Sequence, residues 1–330
     1  MNISCKKLKT WIEEGRDLDI IDVRTKSQKN QFPLNHLSAR FVDESDLNIK
    51  DLEDKATLLI CQFGIHTQHL IEIHDLENVY NLIGGAQAWN ELMSTNRDLG
   101  RYSRQMALSE IGESGQYKLL RSKVVVVGMG GLGCPVAQYL TAAGIGFLKL
   151  IDGDLVDVTN LQRQPLFANK DVGSPKVNVA KRVLNELNPE TKIEAKNILL
   201  NGANVNELLE NTDIIVDATD NMQTRIVMDA YSSQNGIPLV YGGLYRFEGQ
   251  VSVFNFNGGK SYTDLFPLGS TGAPTCSDEG VVGMLPGIIG SIQALETVKI
   301  LLGIEPNLSG KLLLYDGITH TMQQVDLIDD

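Results

Sequence analysis

The sequence predicts an α/β protein in two units: a small parallel-sheet unit over residues 1–94 and a larger unit with a mixed sheet over residues 95–330. Three observations predict it. Short apolar, β-branched runs alternate with stretches of helical character, the pattern of strands joined by crossover helices. A polar, unpatterned run from Met93 to Gly100 parts the chain. Beyond it, a glycine-rich turn stands between an apolar strand and a helix. A length of 330 residues, at about 150 residues per domain, also points to two units.

In the first unit, Leu18 to Val23 (LDIIDV), Ala56 to Cys61 (ATLLIC) and Asn78 to Leu82 (NVYNL) have the length and composition of strands. Gly84-Gly85 breaks the chain before a helix that carries Trp89. In the second, Lys123 to Gly128 (KVVVVG) is a buried strand, Cys134 to Ala143 a helix and Phe147 to Asp152 (FLKLID) the next strand. Asp213 to Asp217 and Ile237 to Tyr241 read as later strands. Val251 to Phe256 (VSVFNF) alternates and is expected to begin an antiparallel hairpin. Gly287 to Leu302, rich in small and apolar residues, reads as a buried helix. There is no internal repeat.

Hydrophobic residues make up 42% of the chain and charged residues 21%, enough to bury a full core. The net charge of −12 argues against broad binding to nucleic acid or to an anionic membrane. No run approaches the roughly 18 consecutive apolar residues of a membrane span, and the first residues lack the apolar core of a signal peptide. The four cysteines, Cys5, Cys61, Cys134 and Cys276, are far apart and form no CxxC pair. Free thiols in a reducing cytoplasm are the expectation.

The turn Gly128-Met-Gly130-Gly131-Leu-Gly133 follows a strand and opens a helix, so backbone N–H groups face an anion closely. Asp152 ends the next strand, the usual place for a ribose-binding carboxylate. These features suit NAD and ATP equally. Arg101-Tyr-Ser-Arg104, Asn160-Leu-Gln-Arg163-Gln164, Lys176 and Asp217-Ala-Thr-Asp220-Asn221 favour ATP. Hydride transfer has no need of several cations, whereas departure of pyrophosphate develops charge that cations stabilise. A carboxylate at a strand end can hold Mg²⁺ beside substrate phosphates.

Together RYSRQ, GMGGLG, DGDLVDVTNLQRQ, GSPK, DATDN, FEGQVSVF, CSDEGVVG and GIIGSIQALETVK resemble the adenylyltransferases of molybdopterin and thiamine biosynthesis, in the ubiquitin-activating enzyme superfamily. The resemblance spans Leu99 to Leu327. It implies a Rossmann-like fold and adenylation of the terminal glycine of a ubiquitin-like sulfur-carrier protein, with ATP and Mg²⁺. It sets Gly131 against the phosphates and Asp152 on the ribose. Asn160, Arg163 and Lys176 fall on phosphate, Asp220 on Mg²⁺, and Arg104 comes from the partner in a homodimer. Gly128, Gly130, Asp154 and Asn221 complete the expected nucleotide-binding set. The commonest family form holds zinc through two CxxC pairs. This sequence has neither, so no structural zinc is expected, and the corner must close by packing. The resemblance puts Cys276, in a Gly- and Pro-bearing loop expected to be mobile, where relatives carry a cysteine able to bond the carrier or its sulfur.

In the first unit, Cys61-Gln-Phe-Gly64-Ile-His-Thr67 follows a strand and begins a helix, aiming backbone N–H groups at the sulfur. With Asp22-Val-Arg24, Asn35-His36 and Asn81-Leu-Ile-Gly84-Gly85-Ala-Gln-Ala-Trp89 it resembles a rhodanese domain over Ile3 to Leu92. That implies a persulfide on Cys61 and a sulfur donor such as a cysteine desulfurase. Rhodanese loops commonly carry arginine; this one has Gln62, Ile65 and His66 instead. Two other readings stand beside the adenylating enzyme: an NAD-dependent oxidoreductase, and a scaffold that binds a ubiquitin-like protein without activating it.

Overall fold

A computed structural model describes all of the chain except residues 32, 35–36, 44–45, 53–54, 95–98, 268–279 and 328–330. Cys276 and the Asn35-His36 pair therefore lie outside the described residues. The chain divides into two compact units, Met1–Arg101 and Tyr102–Asp330.

The first unit is a parallel sheet with helices. Its elements run β1 (Asn2–Ile3), α1 (Cys5–Glu13), β2 (Asp19–Asp22), α2 (Lys26–Gln31), β3 (Arg40–Phe41), β4 (Thr57–Ile60), α3 (Ile65–Ile73), β5 (Val79–Leu82) and α4 (Gly85–Ser94). Among the described residues the strands pair in the order β1-β5-β4-β2-β3, all in parallel. Residues of β4 and β5 are buried along their whole length, which is why they read as continuous apolar runs. On one side Leu8, Trp11, Leu58, Ile60 and Trp89 share a core; on the other Ile21, Leu59, Leu70 and Val79 do. β1 and β3 are two-residue edge strands, too short to carry a period.

The second unit opens with α5 (Ser103–Met106) and α6 (Gly112–Arg121). There follow β6 (Lys123–Val127), α7 (Gly133–Ala143), β7 (Phe147–Ile151), α8 (Lys176–Leu187), β8 (Lys192–Lys196), α9 (Val205–Leu209), β9 (Ile214–Asp217) and α10 (Met222–Asn235). The remainder is β10 (Leu239–Tyr245), β11 (Glu248–Phe254), α11 (Tyr262–Leu265), α12 (Leu285–Leu302), β12 (Lys311–Asp316) and β13 (Thr321–Asp326). The sheet order is β13-β12-β11-β10-β9-β6-β7-β8. The strands from β8 through β10 are parallel; β11, β12 and β13 are added antiparallel, which makes the sheet mixed. The expected hairpin begins one strand earlier than the alternation suggested. β10 is its first arm, and β11, which starts at Glu248 rather than Val251, is its return.

Helix α12 is long and apolar enough, by length and composition, to cross a membrane. Here Leu285, Ile289, Ala294 and Ile300 are buried in the core it shares with Val240, Val251 and Val253 of the sheet. It comes against α7 at Gly290, where a Cβ would stand 2.6 Å from Pro135 Cγ. Gln293, fully buried, donates to the carbonyls of Asp217 at 2.7 Å and Val240 at 3.4 Å, so it ties the helix to the ends of β9 and β10.

The corner where the resemblance places metal-binding cysteines is closed by a carboxylate. Asp229, buried on α10, accepts four hydrogen bonds. Its Oδ1 takes Tyr262 N–H at 2.9 Å and Asn255 Nδ2 at 2.9 Å; its Oδ2 takes Thr263 N–H at 3.1 Å and Thr263 Oγ1 at 2.8 Å. Ser261 and Asp264 cap α11 reciprocally. Tyr241, Phe254, Tyr262 and Phe266 pack beside them at ring separations of 4.9–5.9 Å. Packing was expected there; a saturated buried carboxylate was not. Asp229→Ala removes four hydrogen bonds and strands the backbone N–H groups of Tyr262 and Thr263, and is expected to lower the stability of the second unit by about 3 kcal/mol, read by denaturant unfolding. An unchanged midpoint would show that the aromatic cluster alone holds the corner.

Candidate active site

At the carboxyl ends of β6, β7 and β9 lies a cavity of about 1210 Å³. Open α/β sheets bind ligands at such a crevice. The second unit brings ten of the expected residues to its wall. Gly128, Gly130 and Gly131 come from the turn after β6. Asp152 and Asp154 follow β7; Asn160 and Arg163 come from the next loop; Lys176 starts α8; Asp220 and Asn221 follow β9.

The turn closes only with glycine at two places. Gly128 has φ +96°, and a Cβ there would sit 2.5 Å from the Ala218 carbonyl oxygen. A Cβ on Gly133 would stand 1.9 Å from Gly128 O. Gly130 differs: a Cβ would meet only Gln164 Nε2, at 3.8 Å, so its backbone faces open space. That bare backbone, with helix α7 beginning just beyond it, is the cradle a phosphate needs.

Asp152 fastens this turn to the opposite wall. Its Oδ2 accepts Met129 N–H at 2.6 Å and its Oδ1 accepts Asp154 N–H at 2.7 Å. A carboxylate oxygen carries two lone pairs, so each keeps acceptor capacity for a further donor. Lys176 is buried apart from its contact with the exposed Asp154, Nζ to Oδ2 at 2.8 Å. Arg163 Nη1 donates to Thr159 O at 3.2 Å. Two cations thus stand beside a neutral cradle in a chain of net charge −12. Asp220 is exposed at the cavity wall, placed to share a divalent cation with a phosphate. Asn221 caps α10, its Oδ1 accepting from Gln223 N–H at 2.8 Å and Thr224 N–H at 3.1 Å. Its cap fixes the loop that presents Asp220. The donor set fits a magnesium nucleotide. Arg104 is exposed on α5 and is not part of this wall.

Sequence reasoning missed the support beneath Asp220. Arg225, three residues into α10, puts Nε 3.0 Å from the buried Asp217 Oδ2. Its Nη2 donates to Thr219 O and, at 3.0 Å, to Gly242 O, and its guanidinium lies 5.0 Å from the Tyr241 ring centre. Burial pushes the Asp217 carboxyl up, against the pull of Arg225 and of Thr219. Burial would lower Arg225, but the Asp217 charge, with Tyr241 and Tyr262, outweighs it and keeps Arg225 cationic. The available signal was an arginine four residues before an aspartate on the buried face of one helix.

In the first unit, Cys61 is buried at the end of β4. Its Sγ accepts Gly64 N–H at 3.1 Å and Thr67 Oγ1 at 3.3 Å. Thr67 Oγ1 also lies 2.6 Å from Asn81 Oδ1. Gly64, with φ +76°, precedes α3, and Gly85 packs so closely that a Cβ would stand 2.3 Å from Cys61 O. Burial would raise the Cys61 thiol; the Thr67 hydroxyl and the backbone N–H groups of Thr67, Phe63 and His66 outweigh it and lower it. Arg24 is turned inward. It grips Asp22 through Nε and Nη2, both at 2.9 Å, and donates through Nη1 to Gln62 Oε1 at 3.2 Å. It braces the loop instead of facing an anionic ligand. Phe63 and Ile65 are exposed beside it, as is His66. Cys134, by contrast, sits in the core of the second unit, where burial pushes its thiol up to about 12.

Comparison with known proteins bears on the second unit. The ThiF family model matches residues 102–330. An "Adenylyltransferase and sulfurtransferase MOCS3" of Aedes aegypti is 47% identical over 234 residues, 70% of this chain and 54% of the relative. A "Sulfur carrier protein adenylyltransferase" of Thermus thermophilus is 44% identical over 238 residues, 70% of this chain and 88% of the relative. A "SAMP-activating enzyme E1" of Haloferax volcanii is 43% identical over 229 residues, 69% and 84%. The chain thus spans about half the length of the MOCS3 relative. Among solved structures, E. coli MccB with ATP superposes with a TM-score of 0.62 at 22% identity, over 71% of this chain and 73% of that one. At that identity the likeness is one of fold.

The two thiols separate chemically. Alkylation of Cys61 by iodoacetamide, followed by peptide mass spectrometry, is expected to rise with pH at a midpoint below that of free cysteine. Cys134 is expected to stay unmodified through about pH 9 in the folded protein, because only the thiolate reacts. Equal rates for the two would remove the special environment of Cys61.

Proposed function

The chain belongs to the ThiF family, and from that premise we propose that its second unit adenylates the C-terminal glycine of a small ubiquitin-like sulfur-carrier protein. The observation that carries the reading is the grouping of Asn160, Arg163, Lys176 and Asp220 around an open glycine cradle in one cavity. Asp152 holds the ribose. Asn160, Arg163 and Lys176 hold the triphosphate, and Lys176 turns from Asp154 to do so. Asp220 holds Mg²⁺, which neutralises phosphate charge. The carrier carboxylate attacks the α-phosphorus, the bond to pyrophosphate breaks, and Arg163 and Lys176 stabilise the charge that leaves. Arg104 reaches the site of a second copy in a homodimer. A hydride-transfer reading leaves Arg163, Lys176 and Asp220 without a task.

The first unit we assign as rhodanese-like, with Cys61 carrying a persulfide from a donor such as a cysteine desulfurase. The N–H groups and hydroxyl around its sulfur suit a bound anion. Cys276 is a second candidate for bonding to the carrier or its sulfur. The outer sulfur of the persulfide displaces AMP from the acyl-adenylate to give an acyl disulfide with Cys61. A thiol then attacks the Cys61 sulfur, leaving the carrier as a thiocarboxylate and Cys61 in a disulfide with that thiol. The carrier is of molybdopterin type in first place and of thiamine or tRNA-thiolation type in second. The relatives named for sulfur carriers support the substrate class. A reducing cytoplasm suits the free thiols Cys5, Cys61 and Cys134. No structural zinc is needed where Asp229 closes the corner.

Asp220→Ala is expected to abolish carrier-dependent ATP–pyrophosphate exchange; exchange at the wild-type rate would take Asp220 out of the site. Cys61→Ser is expected to spare adenylation and lower thiocarboxylate yield, measured by mass spectrometry of the carrier. An undiminished yield would leave the first unit without a catalytic part.

A further inference from the structure

Three glycines fall within residues 280–287: Gly280, Gly283 and Gly287. A Cβ would meet nothing within 4 Å at Gly280 or at Gly287, and Gly280 carries a left-handed φ of +78°, which favours glycine. Gly283 differs from both. Its φ lies outside the left-handed region, so its backbone conformation admits any residue. Space is what excludes a side chain. A Cβ there would stand 2.2 Å from the Gln162 carbonyl oxygen and 2.7 Å from Gln162 Oε1. The segment leading into α12 therefore lies directly on the loop whose next residue is Arg163.

The segment is held from behind. Val281 bridges to Arg246, in the turn between β10 and β11. Val282 N–H donates to Arg246 O at 3.3 Å, and Leu285 N–H donates to Val282 O at 3.1 Å. Leu285 and Pro286 are buried, and a Cβ on Gly131 would meet Pro286 Cβ at 2.9 Å. The loop is the softer side, because Gln162 is exposed. It is also a tight turn, in which Asn160 O accepts both Arg163 N–H and Gln164 N–H at 3.0 Å. A push on Gln162 is thus passed on to Arg163.

We infer that Gly283 is a positioning residue for Arg163: its bare backbone seats the Gln162 carbonyl and so sets where the guanidinium meets the triphosphate. The inference rests on the reading of the cavity as a nucleotide site. Val281 and Pro286, on either side of Gly283, line that cavity, whereas Gly283 itself does not. It acts only through the loop. A Cβ at 283 parts segment and loop by about 1 Å before they reach ordinary van der Waals separation. Groups that position a substrate are sensitive to shifts of that size.

Gly283→Ala in the full chain is expected to weaken Mg–ATP binding about 10-fold by isothermal calorimetry, the scale of one hydrogen bond to a charged group. Affinity for adenosine is expected to stay as in the wild type. A double-mutant cycle with Arg163→Ala separates positioning from packing. With Arg163 absent, Gly283→Ala is expected to cost no further Mg–ATP affinity. Wild-type Mg–ATP affinity in Gly283→Ala, an equal loss for adenosine, or a loss that adds in full to that of Arg163→Ala overturns the inference. Gln162→Gly loosens the same contact from its exposed side and adds no atom to the buried segment. It is expected to weaken Mg–ATP binding less than Gly283→Ala does, and again only where Arg163 is present. If Gly283→Ala fails to fold, Gln162→Gly decides by the same cycle. A wild-type protein that does not bind Mg–ATP overturns the reading of the cavity itself, and the inference with it.

Discussion

The buried pair of Asp217 and Arg225 is the contact on which the site depends. Asp217 ends β9 in the middle of the sheet, so its carboxylate has no route to water. Arg225 answers that charge from α10 and, in the same reach, binds the carbonyls of Thr219 and Gly242. One guanidinium therefore fixes the end of β9, the loop that presents Asp220 and the middle of β10. Removing either partner leaves a buried charge, which costs about 3–5 kcal/mol in comparable cases. The chain also extends this rigidity outward. Tyr241 stacks near Arg225, packs on Tyr262, and Tyr262 is held by Asp229 one helical turn along α10. The cavity wall and the corner beyond it are one connected assembly.

On the other side of the cavity, Asp152 does the corresponding task with neutral partners. It joins the glycine turn to the loop that carries Asp154. Lys176 then lies against Asp154, whose other surroundings are solvent. An exposed carboxylate is a weak holder of a cation, because water screens the pair. A polyanion entering the cavity competes for that lysine on favourable terms. In a chain of net charge −12 two cations, Arg163 and Lys176, thus stand beside the cradle, and the one in ion contact is held by an exposed carboxylate.

The sequence disclosed the parts of this arrangement that depend on local pattern. β4, β6, β7 and β9 are buried on both faces, and such strands read as unbroken apolar runs. The glycine turn showed because two of its positions, Gly128 and Gly133, face atoms that leave no space for a side chain. β8 did not show. It is an edge strand reading Lys-Ile-Glu-Ala-Lys, and its charges face water. β13 did not show either, since all six of its residues are exposed and its place is set by pairing with β12. Arg225 and Asp229 were hidden for a different reason. On α10 they occupy positions where a helix normally presents apolar residues, and their partners lie in remote segments. Gln164 stood in plain view beside Arg163, but only its burial and an unfilled Oε1 distinguish it from a surface glutamine.

Satisfaction of polar groups sorts the buried residues by role. Asp229 has every acceptor direction filled by the protein, and nothing remains for a ligand; it belongs to the fold. Asp152 has one donor on each oxygen and keeps a lone pair on each, so it serves the fold and still has acceptor capacity at the cavity wall. Gln164 keeps a buried Oε1 that no group of the protein fills. The gradient runs toward the open face of Gly130. The same reasoning in the first unit sets Arg24, fully engaged with Asp22 and Gln62, among the structural residues. The cysteine sulfur, which accepts from a ring of donors more readily as an anion than as a thiol, falls on the chemical side.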